Sequence, residues 1–290
     1  MNNFKVPVSQ LVCSLLLGAL FVSTSGCVFR RVVRTKDLAY VKADAATRKA
    51  EQRLNIFAPR KPKELKNVLV FIHGGRWNSG DKDQYDFFGN RWARKGVVTV
   101  IIDYPLSPQA SYNQMATSAA QAVQWVQQNI RQYGGDPNRI FVSGHSAGGH
   151  LASLISLRNE YFDSLQIKNP IKGTILIDAA GLDMYGYLQE QGFEDGHTYL
   201  KTFTANPQEW KKASPIFHLH ENMPPMLIYR GGSTYSSIEK STEKFVSALK
   251  NYVPRPRYQV QPGKGHIGMI TQFFFTWNPR YDEILRFMEE

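Results

Sequence analysis

The chain has 290 residues, 42% of them hydrophobic, and a formal net charge of +11. That length and apolar content bury one large core, so a single α/β catalytic domain is the default, and no nucleic-acid-binding motif accompanies the positive charge. The only cysteines, Cys13 and Cys27, lie in the first tenth of the chain, which excludes a disulfide framework for the rest.

At the N-terminus, Lys5 precedes an apolar run over residues 11–22 that ends in Ser23-Thr24-Ser25-Gly26-Cys27. The run is too short to cross a bilayer comfortably and reads as an export signal. The small residues before Cys27 resemble a bacterial lipobox, with Thr24 in place of the usual aliphatic residue. The resemblance implies that 1–27 is a signal peptide, that Cys27 is lipidated, and that Val28 behind it directs the protein to the outer membrane of a bacterial envelope. An uncleaved signal anchor and an ordinary secretory peptide are the alternatives.

Residues 28–50 are expected to form a basic tether and 51–290 the domain. Between 28 and 66, twelve lysines and arginines stand against four acidic residues, a net +8. Beside a lipid anchor such a stretch suits anionic headgroups or lipopolysaccharide phosphates; otherwise it is a solvated linker.

From there the pattern alternates short apolar runs with longer amphipathic ones and contains no internal repeat, the rhythm of a mostly parallel sheet flanked by helices. Buried strands are predicted at 68–72, 97–102, 140–142, 174–177, 226–229 and 257–260, with an edge strand at 53–57. Helices are predicted at 118–131, where Ala122, Trp125, Val126 and Ile130 share a face, at 151–157 and at 238–249. The stretch 181–222 is long for a crossover and rich in aromatics, and is expected to form a small helical cap whose aromatics are mostly core.

The chemistry concentrates in three places. Gly144-His145-Ser146-Ala147-Gly148-Gly149 follows a predicted strand and opens a predicted helix, the context of a nucleophile elbow that lifts Ser146 over the sheet edge. His73-Gly74-Gly75-Arg76-Trp77 follows another strand. Its glycines would offer the N–H groups of Gly74 and Gly75 to an oxyanion, with Ala147 completing the hole. Gly263-Lys264-Gly265-His266 lies after the last strand and supplies a base to activate the serine. His73, His145 and His150 are expected to brace loops, and His197, His218 and His220 have no zinc-ligand spacing. No metal, nucleotide or redox cofactor is implied.

These motifs, with Ser79-Gly80-Asp81, Asp103-Tyr104-Pro105-Leu106-Ser107-Pro108 and the stretch from Tyr133 to Ile140, resemble the α/β-hydrolase esterases of the hormone-sensitive-lipase and acetyl-esterase kind. They resemble the prenylcysteine-methylesterase-like branch especially, and the resemblance runs over roughly residues 50–288. It implies an α/β-hydrolase fold and hydrolysis of small or medium acyl esters through an acyl-enzyme on Ser146.

One departure stands out. The family places its acid after the strand that here is 226–229, yet Arg230-Gly231-Gly232-Ser233-Thr234-Tyr235 contains no carboxylate. Asp183 is preferred as the substitute, with Asp178 and Glu239 as alternatives, although an Asp before Met184-Tyr185 equally suits a helix cap. Thr234 is a neutral candidate to orient His266. The gap keeps a second class in view, a catalytically silent envelope protein that binds a ligand in its pocket. The same machinery would also serve a peptidase or a polysaccharide deacetylase.

Overall fold

The computed structural model describes residues 32–43 and 50–290; the expected signal peptide, with Cys13 and Cys27, lies outside them. Among the described residues eight strands pair into one sheet in the order β1-β2-β4-β3-β5-β6-β7-β8. They are β1 (Val32–Val41), β2 (Gln52–Pro59), β3 (Lys66–Ile72), β4 (Val98–Ile102), β5 (Gly135–His145), β6 (Ile171–Ile177), β7 (Met226–Gly231) and β8 (Arg257–Gln261). β1 and β2 run antiparallel to their neighbours, and the other pairings are parallel.

Alternation along β3 makes two cores. Val68, Val70 and Ile72 face one side, where helices α2 (Tyr112–Asn129), α3 (Ala147–Leu157) and α7 (Ser236–Leu249) pack. Leu69 and Phe71 face the other, against α1 (Asp86–Arg94), α8 (His266–Thr271) and α9 (Arg280–Glu289). A strand buried on both faces reads as a continuous apolar run, which is why the central strands stood out in the sequence. α2 begins six residues before its expected start. The Ser111 hydroxyl accepts from Gln114 N–H while the Gln114 side chain accepts from Ser111 N–H, a reciprocal cap that pins the helix start.

Two assignments at the first strands differ from expectation. β2 is not an edge, because β1 covers it in a register from Val32↔Pro59 to Val41↔Gln52. β1 therefore lies inside the stretch expected as a tether, and that assignment is corrected for residues 32–41. Its cations are committed to the domain: Lys36 Nζ reaches Asp83 Oδ1 at 2.8 Å and Asp86 Oδ2 at 2.6 Å, and Arg34 Nε donates to Asn90 Oδ1 at 2.7 Å. Charges spaced along a half-exposed strand hide its period.

One rung of the sheet reads Leu38, Leu54, Ile102, Ile72, Gly144, Leu176, Ile228, Tyr258. Just beyond it the parallel strands end, so their loops gather along one edge. Over 181–222 the expected cap is present as α4 (Met184–Gln191), α5 (Thr198–Phe203), α6 (Pro207–Lys212) and a 3-10 turn, Pro215–His218.

Candidate active site

Ser146 stands between β5 and α3 with φ 55° and ψ −123°, a left-handed backbone that a non-glycine residue adopts only under constraint. The constraint is visible. A Cβ on Gly148 would fall 2.0 Å from Ile72 O, so α3 sits hard against the end of β3. Ser146 N–H donates to Ile177 O at 3.3 Å, and Ser146 O accepts from Ala180 N–H at 3.1 Å, stitching the elbow to the end of β6.

That stitching brings up Asp178, the residue after β6. Its side chain is fully buried and accepts from three donors: Gly231 N–H at 2.7 Å on Oδ1, and on Oδ2 Thr234 Oγ1 at 2.5 Å and His266 Nδ1 at 2.6 Å. A buried carboxylate is tolerated when its lone pairs are filled in this way. With Nδ1–H held by Asp178, His266 presents Nε2 as the basic nitrogen.

The preference for Asp183 as the partner of His266 is corrected. Asp183 caps α4 through Gly186 N–H at 2.9 Å and pairs with Lys244 at 3.0 Å. Glu239 is half exposed and pairs with Arg230 at 3.0 Å. Thr234 does not meet His266 but donates to the carboxylate behind it.

His145, next to the elbow serine, stacks on His266 with ring centroids 4.5 Å apart, and its Nε2–H donates to His266 O at 3.0 Å. Burial pushes the His145 imidazole down to about 3, so it is a neutral brace. Burial likewise takes His150 down to about 4. Its Nε2–H donates to Ala213 O at 2.6 Å and its Nδ1 accepts from Trp77 Nε1–H at 3.1 Å, tying the cap to the glycine loop. His73 is also lowered by burial and stacks on Tyr104 at 4.4 Å.

The glycine loop needs a revision. Gly74 N–H donates to the Tyr85 hydroxyl at 3.2 Å, so the expectation that Gly74 serves an oxyanion is corrected, although it abuts the elbow. Among the described residues no acceptor engages the N–H of Gly75 or Ala147. Gly75 has φ 133°, and a Cβ there would overlap Ser79 O at 2.0 Å, so only glycine permits this turn. Ala147 N–H opens α3, where helix N–H groups have no intrahelical partner.

Beside this loop a recess of about 180 Å³ is lined by Arg76, Asn78, His197, Thr198, Tyr199 and Thr202. Behind it the aromatics of the cap divide: Phe203 is buried against Trp77 at 5.0 Å, as expected of core, while Phe193, His197 and Tyr199 stack in parallel as a half-exposed wall. His150 braces loops as expected; sequence reasoning passed over Tyr85 and the partners of that brace, Trp77 and Ala213, which are distant in the chain. Asp178 carried a weak signal, a carboxylate directly after the apolar run 174–177.

Parallel strands with an elbow serine and a histidine at their C-terminal ends, under a helical cap, define an α/β hydrolase. Within that class, residues 54–249 match the BD-FAE family, and the chain belongs to it. Isoprenylcysteine alpha-carbonyl methylesterase ICME of Arabidopsis thaliana is 28% identical over 236 residues, covering 76% of this chain and 55% of the relative. Esterase LipQ of Mycobacterium tuberculosis is 30% identical over 195 residues, covering 63% of this chain and 46% of the relative. The chain thus spans about half the length of these relatives. Among solved structures, the apo form of Thermogutta terrifontis esterase 2 superimposes with a TM-score of 0.71 at 23% identity, over 87% of this chain and 92% of that one. Esterase B from Lactobacillus rhamnosis gives 0.70 at 18% identity, over 89% and 85%. At these identities the structures speak for the fold.

Proposed function

We propose that the protein is a serine carboxylesterase. Ser146 Oγ attacks the ester carbonyl and gives its proton to His266 Nε2, while the negative carbonyl oxygen takes hydrogen bonds from Gly75 and Ala147 N–H. The intermediate collapses to an acyl-enzyme as His266 returns the proton to the departing alcohol. Water, activated by the same imidazole, then releases the acid. Asp178 holds the His266 tautomer and stabilises the imidazolium that forms.

The observation that carries this reading is the 2.6 Å contact between His266 Nδ1 and a fully buried, otherwise saturated Asp178. It also favours the enzyme over the silent-binding alternative, which rested on a missing acid. The similarity to named esterases supports ester chemistry. The lipobox-like Cys27 supports an exported protein anchored in the bacterial envelope, with the outer membrane as its site.

The test is hydrolysis of p-nitrophenyl esters from acetate to laurate, together with labelling by a fluorophosphonate. Turnover and labelling are expected in the wild type and absent in Ser146→Ala. A wild type that matches Ser146→Ala on every ester and takes no label would return the protein to the binding class.

A further inference from the structure

The two edges of the sheet differ in what they expose. The edge where the parallel strands begin carries a groove of about 510 Å³ lined in part by Lys61, Lys63, Arg131, Val33 and Leu65, with Glu64 on the same lining paired to Lys66 at 3.0 Å. No carboxylate among the described residues pairs with these three cations, and Val33 and Leu65 are exposed between them. Along the same edge Lys168, Lys172 and Arg255 are exposed at the starts of β6 and β8, and Tyr252 and Val253 are exposed apolar neighbours. Cations interspersed with exposed apolar side chains are the composition of a surface that rests on anionic lipid.

Chain geometry points the same way. β1 enters the sheet at this edge, where Val32 pairs with Pro59. Five peptide steps separate Val32 from Cys27, and no conformation of that stretch exceeds about 18 Å. From Pro59 along β2 to the Leu54 rung, and from Gly144 on that rung to Ser146, the strand rise adds up to about 23 Å.

A competing surface lies at the catalytic edge. Ile267 follows His266, and Phe275 and Trp277, the latter 79% exposed, pack beside each other. Seating those side chains on the membrane that holds Cys27 would lift Val32 beyond the reach of its connection.

We propose that the edge bearing Lys61, Lys63 and Arg131 docks on an anionic lipid surface, so that the Ser146 mouth faces away from the membrane and takes esters from the aqueous side. The inference rests on the reading that Cys27 is membrane-anchored.

The test uses the lipidated protein, as processed at Cys27 by a bacterial host, with vesicles of phosphatidylcholine alone or mixed with phosphatidylglycerol. Wild type should prefer the phosphatidylglycerol vesicles, and the triple variant Lys61→Glu, Lys63→Glu, Arg131→Glu should lose roughly 100-fold of that preference. Its hydrolysis of a soluble ester should not change. Cys27→Ser should lower binding to both vesicles while keeping the preference, which separates failure of the anchor from failure of the face. Fluorescence of Trp277, read against Trp277→Phe, should be untouched by brominated lipid. Equal binding to both vesicles, a triple variant that keeps the preference, or quenching of Trp277 by brominated lipid would overturn the proposal.

Discussion

Asp178 and Asp183 are five residues apart and belong to different regions, the end of β6 and the start of the cap. The strand-end carboxylate is dry, saturated by donors from two loops and aimed at His266. The cap carboxylate has one oxygen on a helix N-terminus and the other on an exposed lysine. A catalytic acid must hold one orientation while its partner gains and loses a proton. Lateral strand pairing supplies that stiffness, and a cap helix joined by a few contacts does not.

The sharpest way to break this contrast is Asp178→Asn, which keeps the size but presents the wrong hydrogen-bonding pattern to His266 Nδ1. The same change in the triad of a serine protease lowers turnover by about four orders of magnitude, and a similar fall in kcat is expected here. Activity within tenfold of wild type would end the role proposed for Asp178.

A finer cut is Thr234→Val. It removes a hydroxyl that donates to Asp178 Oδ2 and leaves the carboxylate in place. A hydrogen bond to a charged group contributes about 1.5–3 kcal/mol, so kcat should drop by roughly 10- to 100-fold, with Thr234→Ser restoring most of it. Equal kcat for wild type and Thr234→Val would mean that Gly231 N–H alone orients the acid.

How much of this was visible in the sequence follows from the range of each interaction. Ser146, His266 and the Gly75 turn sit in short motifs whose geometry is set within a few residues, and they stood out. Asp178 did not, because its value depends on β6 lying beside β7: its N–H donates to Tyr229 O, and Gly231 N–H returns to its side chain across 53 positions. Gly74 read as an oxyanion donor because Tyr85, which takes its N–H, is outside the motif. β1 was read as tether because Arg34, Lys36 and Asp37 interrupt its apolar period, while the register that makes it a strand comes from β2.

The braces around the site make a pH prediction. His145 and His150 stay neutral in the fold, with burial holding them down to about 3 and about 4. In the unfolded chain both take up protons near pH 6.5. The native state is therefore fully favoured above that pH and loses stability as pH falls from about 6.5 toward 4. The slope is about 1.4 kcal/mol per pH unit for each histidine. Urea unfolding at pH 7.5, 6 and 5 reads this directly, and a midpoint that stays constant would show that the two rings accept protons without unfolding.

The smallest effect belongs to the other half of the comparison. In Asp183→Asn the side-chain oxygen still accepts from Gly186 N–H, and asparagine caps helices about as well as aspartate. Only the charge pairing with Lys244 is lost, and because the lysine is more than half exposed that pair contributes at most about 1 kcal/mol. Thermal unfolding should shift by a few degrees at most and kcat/KM should stay within threefold of wild type. Asp183→Ala, which removes the cap as well, should cost about 1 kcal/mol more and still leave kcat unchanged. A fall of a hundredfold in either variant would move the acid from the strand end to the cap. The sheet would then have built a saturated, buried carboxylate beside His266 for packing alone.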